Sequence, residues 1–248
     1  MITIKSAEDF ARMRRAGSVV ARIHEALRDK AAPGVALLEL DRLAARIIED
    51  GDCKPNFLGY HGFPAYTCLS VNEEIVHGIP SERLLEEGDL LSVDAGAIFE
   101  GWHADAAVTF PIGEVPDETA RLIDTTEKAM WLAIEMSVVG SRLGDIGAAI
   151  TEVADEHGYG VVRTHTGHGI GLQMHEDPQV PNYGKAGKGM RLREGMAICI
   201  EPMFNLGTHE TRTLDDGWTV VTADGSMSAH WEHTVAITAD GPEVLTRP

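Results

Sequence analysis

The chain has 248 residues, 44% of them hydrophobic and 24% charged, so it can bury a sizeable core within one domain, residues 1–248. Its 39 acidic and 21 basic residues give a formal net charge of −18, which would repel nucleic acid and anionic membrane surfaces and argues against binding to either. The sequence also lacks a leader segment, an apolar run of the roughly 20 residues that span a bilayer, and closely spaced cysteines, which favours the reducing cytoplasm.

Two amphipathic helices are predicted at the start of the chain. Ser6 and Asp9 have the spacing of a capping box, and apolar residues then recur at helical spacing until Pro33 interrupts them. A second helical pattern follows, with Leu40 on its apolar side and Gly51 as its end.

Strands and further helices are predicted beyond this region. Residues 90–94 alternate apolar and polar side chains, which indicates a strand. The same order of patterns returns later, with helices predicted over residues 120–136 and 143–154 and a strand over residues 196–201.

This repeated order indicates an internal duplication. At an offset of 107 residues, four features of one half fall on matching features of the other: Gly88 on Gly195, residues 90–93 on 197–200, Asp94 on Glu201, and His61 on His168. We therefore predict pseudo-symmetric halves of about 1–112 and 113–248, joined at residues 111–117, each of which contributes one strand-end carboxylate to a shared centre.

Asp94 and Asp105 are the first candidate functional residues. Asp94 ends the predicted strand and Asp105 follows eleven residues later. Gly96 and Gly101 lie between them, so a hairpin would bring the two carboxylates side by side. Either residue alone is explained by a turn cap, but two carboxylates buried together need protons or a cation to offset desolvation and repulsion.

The second half of the chain supplies three more candidates. His168 lies in the segment Thr-Gly-His-Gly-Ile-Gly, which by itself also describes a loop with a solvated histidine; a phosphate-binding loop is disfavoured because its Lys-Ser/Thr is missing. Glu201 ends an apolar strand before Pro202, which cannot continue a sheet ladder. Alternation over residues 229–237 places Glu232 on the same face as His230.

The predicted chemistry rests on the set rather than on any single residue. One histidine and four carboxylates suit two divalent ions such as cobalt, manganese, iron or zinc, whereas a structural zinc site would normally use cysteines. Two such ions can bind a hydroxide, polarise a carbonyl group and stabilise the developing oxyanion. We therefore predict a hydrolase whose metal ligands are Asp94, Asp105, His168, Glu201 and Glu232.

With these residues in this order, the chain resembles the methionine aminopeptidases, a branch of the pita-bread metallopeptidases, across nearly its whole length. His77 in Val-His-Gly-Ile-Pro and His175 in Met-His-Glu-Asp-Pro match the family's two accessory histidines. The resemblance implies an α+β pita-bread fold, in which two pseudo-twofold-related halves place an antiparallel sheet around a central dinuclear metal site, with helices on the outside.

The resemblance also implies a mechanism. Asp94 and His168 would each ligate one of two metal ions, while Asp105 and Glu232 would bridge them. Glu201 would ligate and shuttle a proton. A metal-bridged hydroxide would attack the first peptide bond, where the accessory histidines would stabilise the transition state. The catalytic residues would thus be His77, His175 and Glu201.

Selection for methionine requires an apolar pocket that suits a flexible thioether. By resemblance, the residues that bind the substrate are Tyr60, Phe63, Cys68, His77, Met174, His175 and Trp218. Phe57, Phe63 and Val76 depart from the residues most often found at their positions in the family, so we expect this pocket to differ in shape. Asn72 and Ser228 match backbone positions that bind one sodium or potassium ion in some relatives.

The activity implied by the resemblance is removal of the N-terminal methionine from nascent polypeptides and peptides with a small second residue. Transient contact with ribosomes and a monomeric chain are expected. The 31 residues from Glu201 to Glu232 leave no room for the helical insertion of the family's second type, which favours the first type. Two alternatives stay open: a proline-specific relative, which usually has a further amino-terminal domain, and a non-catalytic pita-bread binding module, which typically lacks several ligands.

Overall fold

The computed structural model describes residues 2–247. Within this range the α-helices are α1 (Ala7–Lys30), α2 (Leu37–Asp50), α3 (Asp117–Glu135) and α4 (Leu143–His157), with one 3₁₀ turn at Tyr60–Gly62. The strands are β1 (Lys54–Pro55), β2 (Thr67–Val71), β3 (Glu74–Val76), β4 (Leu90–Phe99), β5 (Trp102–Pro111), β6 (Gly160–Val161), β7 (Gly167–Gly169), β8 (Glu176–Val180), β9 (Ala197–Ile200), β10 (Met203–Asn205), β11 (Thr211–Thr213), β12 (Val220–Thr222), β13 (Ser228–His230), β14 (Glu232–Thr238) and β15 (Gly241–Val244).

A nine-stranded sheet forms the centre of the molecule. Its main path runs β1-β4-β5-β14-β9-β7-β8, with β2 paired to β4 and β15 paired to β14. Two three-stranded sheets, β13-β10-β6 and β11-β12-β3, lie beside it. The strand pairs described within residues 2–247 are antiparallel, which agrees with the predicted α+β class. No helix in the same range is both long enough and apolar enough to span a membrane.

The helices form where the sequence predicts them. Ser6 and Asp9 complete the capping box of α1: the Asp9 amide donates to Ser6 Oγ at 3.3 Å, and the Ser6 amide donates to Asp9 Oδ2 at 2.9 Å. The apolar face of α1, which includes the fully buried Met13 and Ile23, packs on the sheet at β4 and β5. Helix α2 ends at Gly51 as predicted, and α3 packs against α4.

The capping box gives a direct test of what starts α1. Replacing Ser6 by alanine removes the acceptor for the Asp9 amide, so we expect the free energy of unfolding to fall by about 1 kcal/mol. Urea unfolding followed by circular dichroism measures this change. The Ser6→Thr variant, which keeps the hydroxyl, serves as the control; an unchanged midpoint in Ser6→Ala would mean that the cap does not stabilise the helix.

The two predicted halves share a hydrogen-bond pattern at the ends of two antiparallel strand pairs, β4-β5 and β9-β14. In the first half, the Gly88 amide donates to Ile112 O at 2.8 Å and the Ile112 amide donates to Asp89 O at 2.8 Å. In the second half, the Gly195 amide donates to Ile237 O at 2.9 Å and the Ile237 amide donates to Met196 O at 2.8 Å. Both glycines have positive φ, 91° and 84°, which L side chains disfavour.

The strands differ from the prediction in three respects. Asp94 does not end a strand, because β4 continues to Phe99, so the carboxylate lies in the middle of a ten-residue strand. Gly96 does not turn the chain: it lies within β4 where a Cβ would clash with the Asn56 side chain, and Gly101, with φ 85°, makes the turn. The match of His61 to His168 also fails, because His61 lies in the 3₁₀ turn rather than in a strand. The division at residues 112 and 113 stays a prediction.

Candidate metal centre and substrate pocket

Three carboxylates project from neighbouring strands at the middle of the central sheet. In the β4-β5 hairpin, Asp94 of β4 pairs with Ala107 of β5. Asp105 of β5 pairs with Gly96, which lies two residues after Asp94 on β4. Paired residues in an antiparallel ladder point to the same face. Glu232, the first residue of β14, also pairs with Ala107, so its carboxylate lies on the same face. Oxygen atoms of Asp94, Asp105 and Glu232 all lie within 4.8 Å of one another.

His168 and Glu201 complete this group from β7 and from the end of β9. The His168 Nδ1 donates to Gly169 O at 2.9 Å, and because a carbonyl only accepts, the lone pair of the neutral ring lies on Nε2. That nitrogen is 3.6 Å from Glu201 Oε1. The Glu201 backbone is held by Asn182, whose Nδ2 donates to its carbonyl oxygen at 2.9 Å. A neutral imidazole and a carboxylate therefore face the three acids.

Burial and mutual repulsion shift the pKa values of this group strongly. Burial, followed by neighbouring carboxylates, raises the pKa of Asp94 and of Glu232 well above the ordinary range. Burial raises the pKa of Asp105 to about 7. Burial and then the Asp105 charge raise the pKa of Glu201 to about 8. Burial lowers the pKa of His168 to about 3, so its imidazole is neutral at physiological pH.

The ligand atoms fit divalent metal ions. Asp94 Oδ1, Asp105 Oδ1 and Glu232 Oε1 are buried and make no hydrogen bond within residues 2–247. Unpartnered buried carboxylate oxygens are strongly disfavoured unless a cation or a proton compensates them. A set of four carboxylates and one neutral imidazole, already gathered on one face, supplies the oxygen and nitrogen ligands that such ions use.

Two residues beside the centre were not among the predicted ligands. Thr234 Oγ1 accepts from the Asp105 amide at 3.0 Å and donates to its carbonyl oxygen at 2.7 Å, which fixes the backbone of that acid. Cys199 is fully buried, and its sulfur lies within 4.8 Å of ligand atoms of His168 and Glu232. The alternation of β9 places Cys199 two residues before Glu201, a signal that could have identified it.

An apolar cluster adjoins the carboxylates. Phe63 makes edge-on contacts with Phe57 and Trp218, with ring centroids 6.5 and 5.1 Å apart. Cys68 and Met174 are buried in the same cluster, with Tyr60 at its edge. These side chains and the five ligand candidates line one continuous cavity, whose wall also contains Val76, His77, His165, Thr166, His175 and His230.

Both accessory histidines lie on this cavity. Tyr60 Oη and His175 Nδ1 form a 2.8 Å hydrogen bond, and the His175 ring lies 4.2 Å from that of His168. His77 has a positive φ of 61° and its ring is 5.3 Å from that of His165. Burial lowers the pKa of both accessory histidines, that of His77 to about 4. The structure thus brings every predicted catalytic, metal and substrate residue to one cavity.

The pair proposed for a monovalent ion lies outside this cavity. Asn72, at φ 62°, accepts the Ser228 amide on its backbone carbonyl at 3.0 Å. Its side chain donates to Asp89 at 2.8 Å and accepts the Leu90 amide at 2.8 Å. The two segments are therefore adjacent, and a sodium or potassium ion between them stays a prediction.

The sequence is similar to known metallopeptidases. The model of metallopeptidase family M24 matches residues 11–239. A methionine aminopeptidase of Clostridium acetobutylicum is 51% identical over 247 residues, covering 99% of both chains. Methionine aminopeptidase 1 of Bacillus subtilis is 45% identical over 247 residues, with full coverage of both.

Solved structures show the same relationship. The crystal structure of a methionine aminopeptidase from Thermotoga maritima superimposes with a TM-score of 0.99 at 42% identity, covering both chains completely. A prolidase from Pyrococcus furiosus shares the fold, with a TM-score of 0.81, but is 23% identical, and the match covers 65% of its chain. The pita-bread fold is therefore confirmed, and the chain belongs to metallopeptidase family M24 and, within it, to the methionine aminopeptidases.

Proposed function

We propose that this protein removes the N-terminal methionine from nascent polypeptides and peptides that have a small second residue. Identity of 41–51% with methionine aminopeptidases over nearly the whole chain supports this activity. The structural observation that supports this activity most directly is that the five ligand candidates and the apolar cluster around Phe63 line the same cavity. A methionine side chain in that cluster would place its own peptide bond beside the carboxylates.

Two divalent ions, of cobalt, manganese, iron or zinc, are proposed for the carboxylate group. Asp94 and His168 would each serve one ion, and Asp105 and Glu232 would serve both. Glu201 would complete the set beside His168. When bound, such ions supply a water activated for attack at neutral pH and polarise the carbonyl group of the substrate.

The protein's own groups would move the proton and orient the peptide. Glu201, which lies beside His168, would take up a proton from the attacking water and deliver it to the departing amine. Tyr60 fixes the His175 ring through its 2.8 Å hydrogen bond, so His175 can present its other nitrogen to the substrate carbonyl oxygen. His77 would contact the nitrogen of the scissile bond.

We further infer a monomeric chain that acts in the cytoplasm, where nascent polypeptides emerge. Brief contact with ribosomes would follow from that task. The strong negative charge of the chain agrees with the expectation that it does not bind nucleic acid by itself.

A panel of three peptides tests the activity. With manganese or cobalt supplied, we expect release of methionine from Met-Ala-Ser, little cleavage of Met-Lys-Ser, and no cleavage of Ala-Pro-Ala. Amino acid analysis of the products measures each rate. Equal turnover of Ala-Pro-Ala and Met-Ala-Ser would contradict the proposed specificity and favour a proline-specific enzyme.

Trp218 provides a test of the methionine pocket. Its ring packs edge-on against Phe63 and lies 6.4 Å from the His77 ring. Replacement by alanine removes part of the apolar wall, so kcat/KM for Met-Ala-Ser should fall by roughly tenfold to a hundredfold. Manganese affinity, measured by calorimetry, should stay unchanged. The Trp218→Phe variant, which keeps an aromatic ring, should be much less affected; equal kcat/KM in wild type and Trp218→Ala would place the pocket elsewhere.

A further inference from the structure

His230 is a buried histidine of the cavity wall that is neither a ligand candidate nor one of the two accessory histidines. It is only 2% exposed, and neither ring nitrogen makes a hydrogen bond within residues 2–247. Its backbone is fixed by Thr109, whose Oγ1 accepts the His230 amide at 2.9 Å and donates to the His230 carbonyl oxygen at 2.7 Å. The ring is therefore held in place while its polar atoms lack partners.

The Glu201 carboxylate lies close to this ring. His230 Nε2 lies 3.9 Å from Glu201 Oε2, and His168 Nε2 lies 3.6 Å from Oε1 of the same carboxylate. Glu201 thus sits between two imidazoles, one for each oxygen. A carboxylate is a stronger acceptor than the imidazoles of His77 and His165, which also line the cavity.

The chemistry of the pair is complementary. A histidine ring always has at least one N–H to donate, and neither ring nitrogen of His230 has another partner within residues 2–247. A charge-assisted N–H to carboxylate bond is about 2.8 Å long, so a movement of roughly 1 Å by the Glu201 side chain would complete it. Groups that hydrogen-bond metal-ligating side chains orient those ligands and strengthen metal binding.

We propose that His230 is a positioning residue that donates from Nε2 to Oε2 of Glu201 and thereby holds Oε1 toward His168 and the metal centre. This inference rests on the proposed function, in which Glu201 ligates metal and carries a proton. In this role His230 would contact neither the substrate nor the metal ions. Its part is to fix the orientation of the carboxylate.

Two replacements separate hydrogen bonding from packing. His230→Leu removes the donor and should weaken manganese binding to the metal-free protein by at least about tenfold, with a similar fall in kcat and little change in KM for Met-Ala-Ser. His230→Gln keeps an N–H donor and should retain affinity within about threefold. Calorimetric titration with manganese gives the affinity independently of activity.

Controls separate this role from general loss of a buried histidine. His24, on α1, is also buried with an unpartnered Nε2, and His24→Leu should leave manganese affinity unchanged. In the Glu201→Gln background, adding His230→Leu should not weaken manganese binding further, because the acceptor charge is already gone. If His230→Leu does not fold, His230→Met supplies the apolar replacement.

The outcomes are distinct. Wild-type manganese affinity in His230→Leu, or equal impairment in His230→Leu and His230→Gln, would overturn the positioning role. A wild-type protein that binds manganese but does not cleave Met-Ala-Ser would overturn the proposed function, while the affinity comparison would still decide the role of His230.

Discussion

Replacing Glu201 or His168 by alanine is expected to abolish hydrolysis of Met-Ala-Ser, with kcat falling by at least about a thousandfold. Each change removes one of two adjacent ligand candidates, since His168 Nε2 lies 3.6 Å from Glu201 Oε1. Glu201→Ala also removes the proposed proton carrier. Bound metal, measured by atomic emission after dialysis, should fall below two ions per chain in both variants.

Exposed residues of the same types provide matched controls. Glu210 and His157 lie on the surface, away from the cavity lining. Their alanine variants should keep wild-type turnover and metal content. Full activity in Glu201→Ala or His168→Ala would refute the proposed centre, whereas loss of activity in the surface controls would point to a general effect on folding.

The metal-free protein is expected to lose stability as the pH rises from about 6.5 to about 8.5. Burial raises the pKa of Asp105 to about 7 and that of Glu201 to about 8 in the folded protein, whereas both groups ionise near pH 4 when unfolded. The folded state therefore binds more protons across this window, so raising the pH favours unfolding. A fall in Tm of roughly 10 °C is expected.

The choice of window separates the carboxylates from the histidines. Burial lowers the pKa of His168 and of His230 to about 3, so these rings destabilise the fold only as the pH falls below about 6.5. Above that pH they are neutral in both states. The expected loss of stability above pH 6.5 is therefore caused by the raised pKa values of the carboxyl groups.

Calorimetry of chelator-treated protein at three pH values measures the effect. Added manganese should remove most of the pH dependence, because the cation compensates the ionised carboxylates. Glu201→Gln should show a shallower fall in Tm than wild type, since one titrating group is absent. A metal-free Tm that stays constant or rises over this window would contradict the electrostatic account of the centre.

Local sequence signals explain the elements that were predicted well. The capping box at Ser6 and Asp9 starts α1 because both hydrogen bonds are made within one turn. The glycine pair of the repeat is also a local signal, since Gly88 and Gly195 both have a positive φ shortly before a central strand. Such features depend on a few neighbouring residues.

The interior of the sheet was predicted less well. Beyond Asp94, strand β4 continues through small and apolar residues that are buried on both faces, so the alternation that marks a half-exposed strand disappears. With no alternation to mark the strand, the glycine at position 96 indicates a turn, although Gly96 lies within β4. Its packing against Asn56 could not be inferred from sequence, because it depends on the pairing of β1 with β4.

The sequence by itself determined the helices, the approximate strands, and the five ligand candidates, because each depends on local pattern or on residue type in a fixed order. Tertiary structure decided how those side chains meet. Strand register brings Thr234 onto Asp105 across 129 positions and sets His230 beside Glu201. The Thr234 contact arises from the pairing of β14 with β5, and the His230 contact follows from the pairing of β13 with β10, so no local pattern could reveal them.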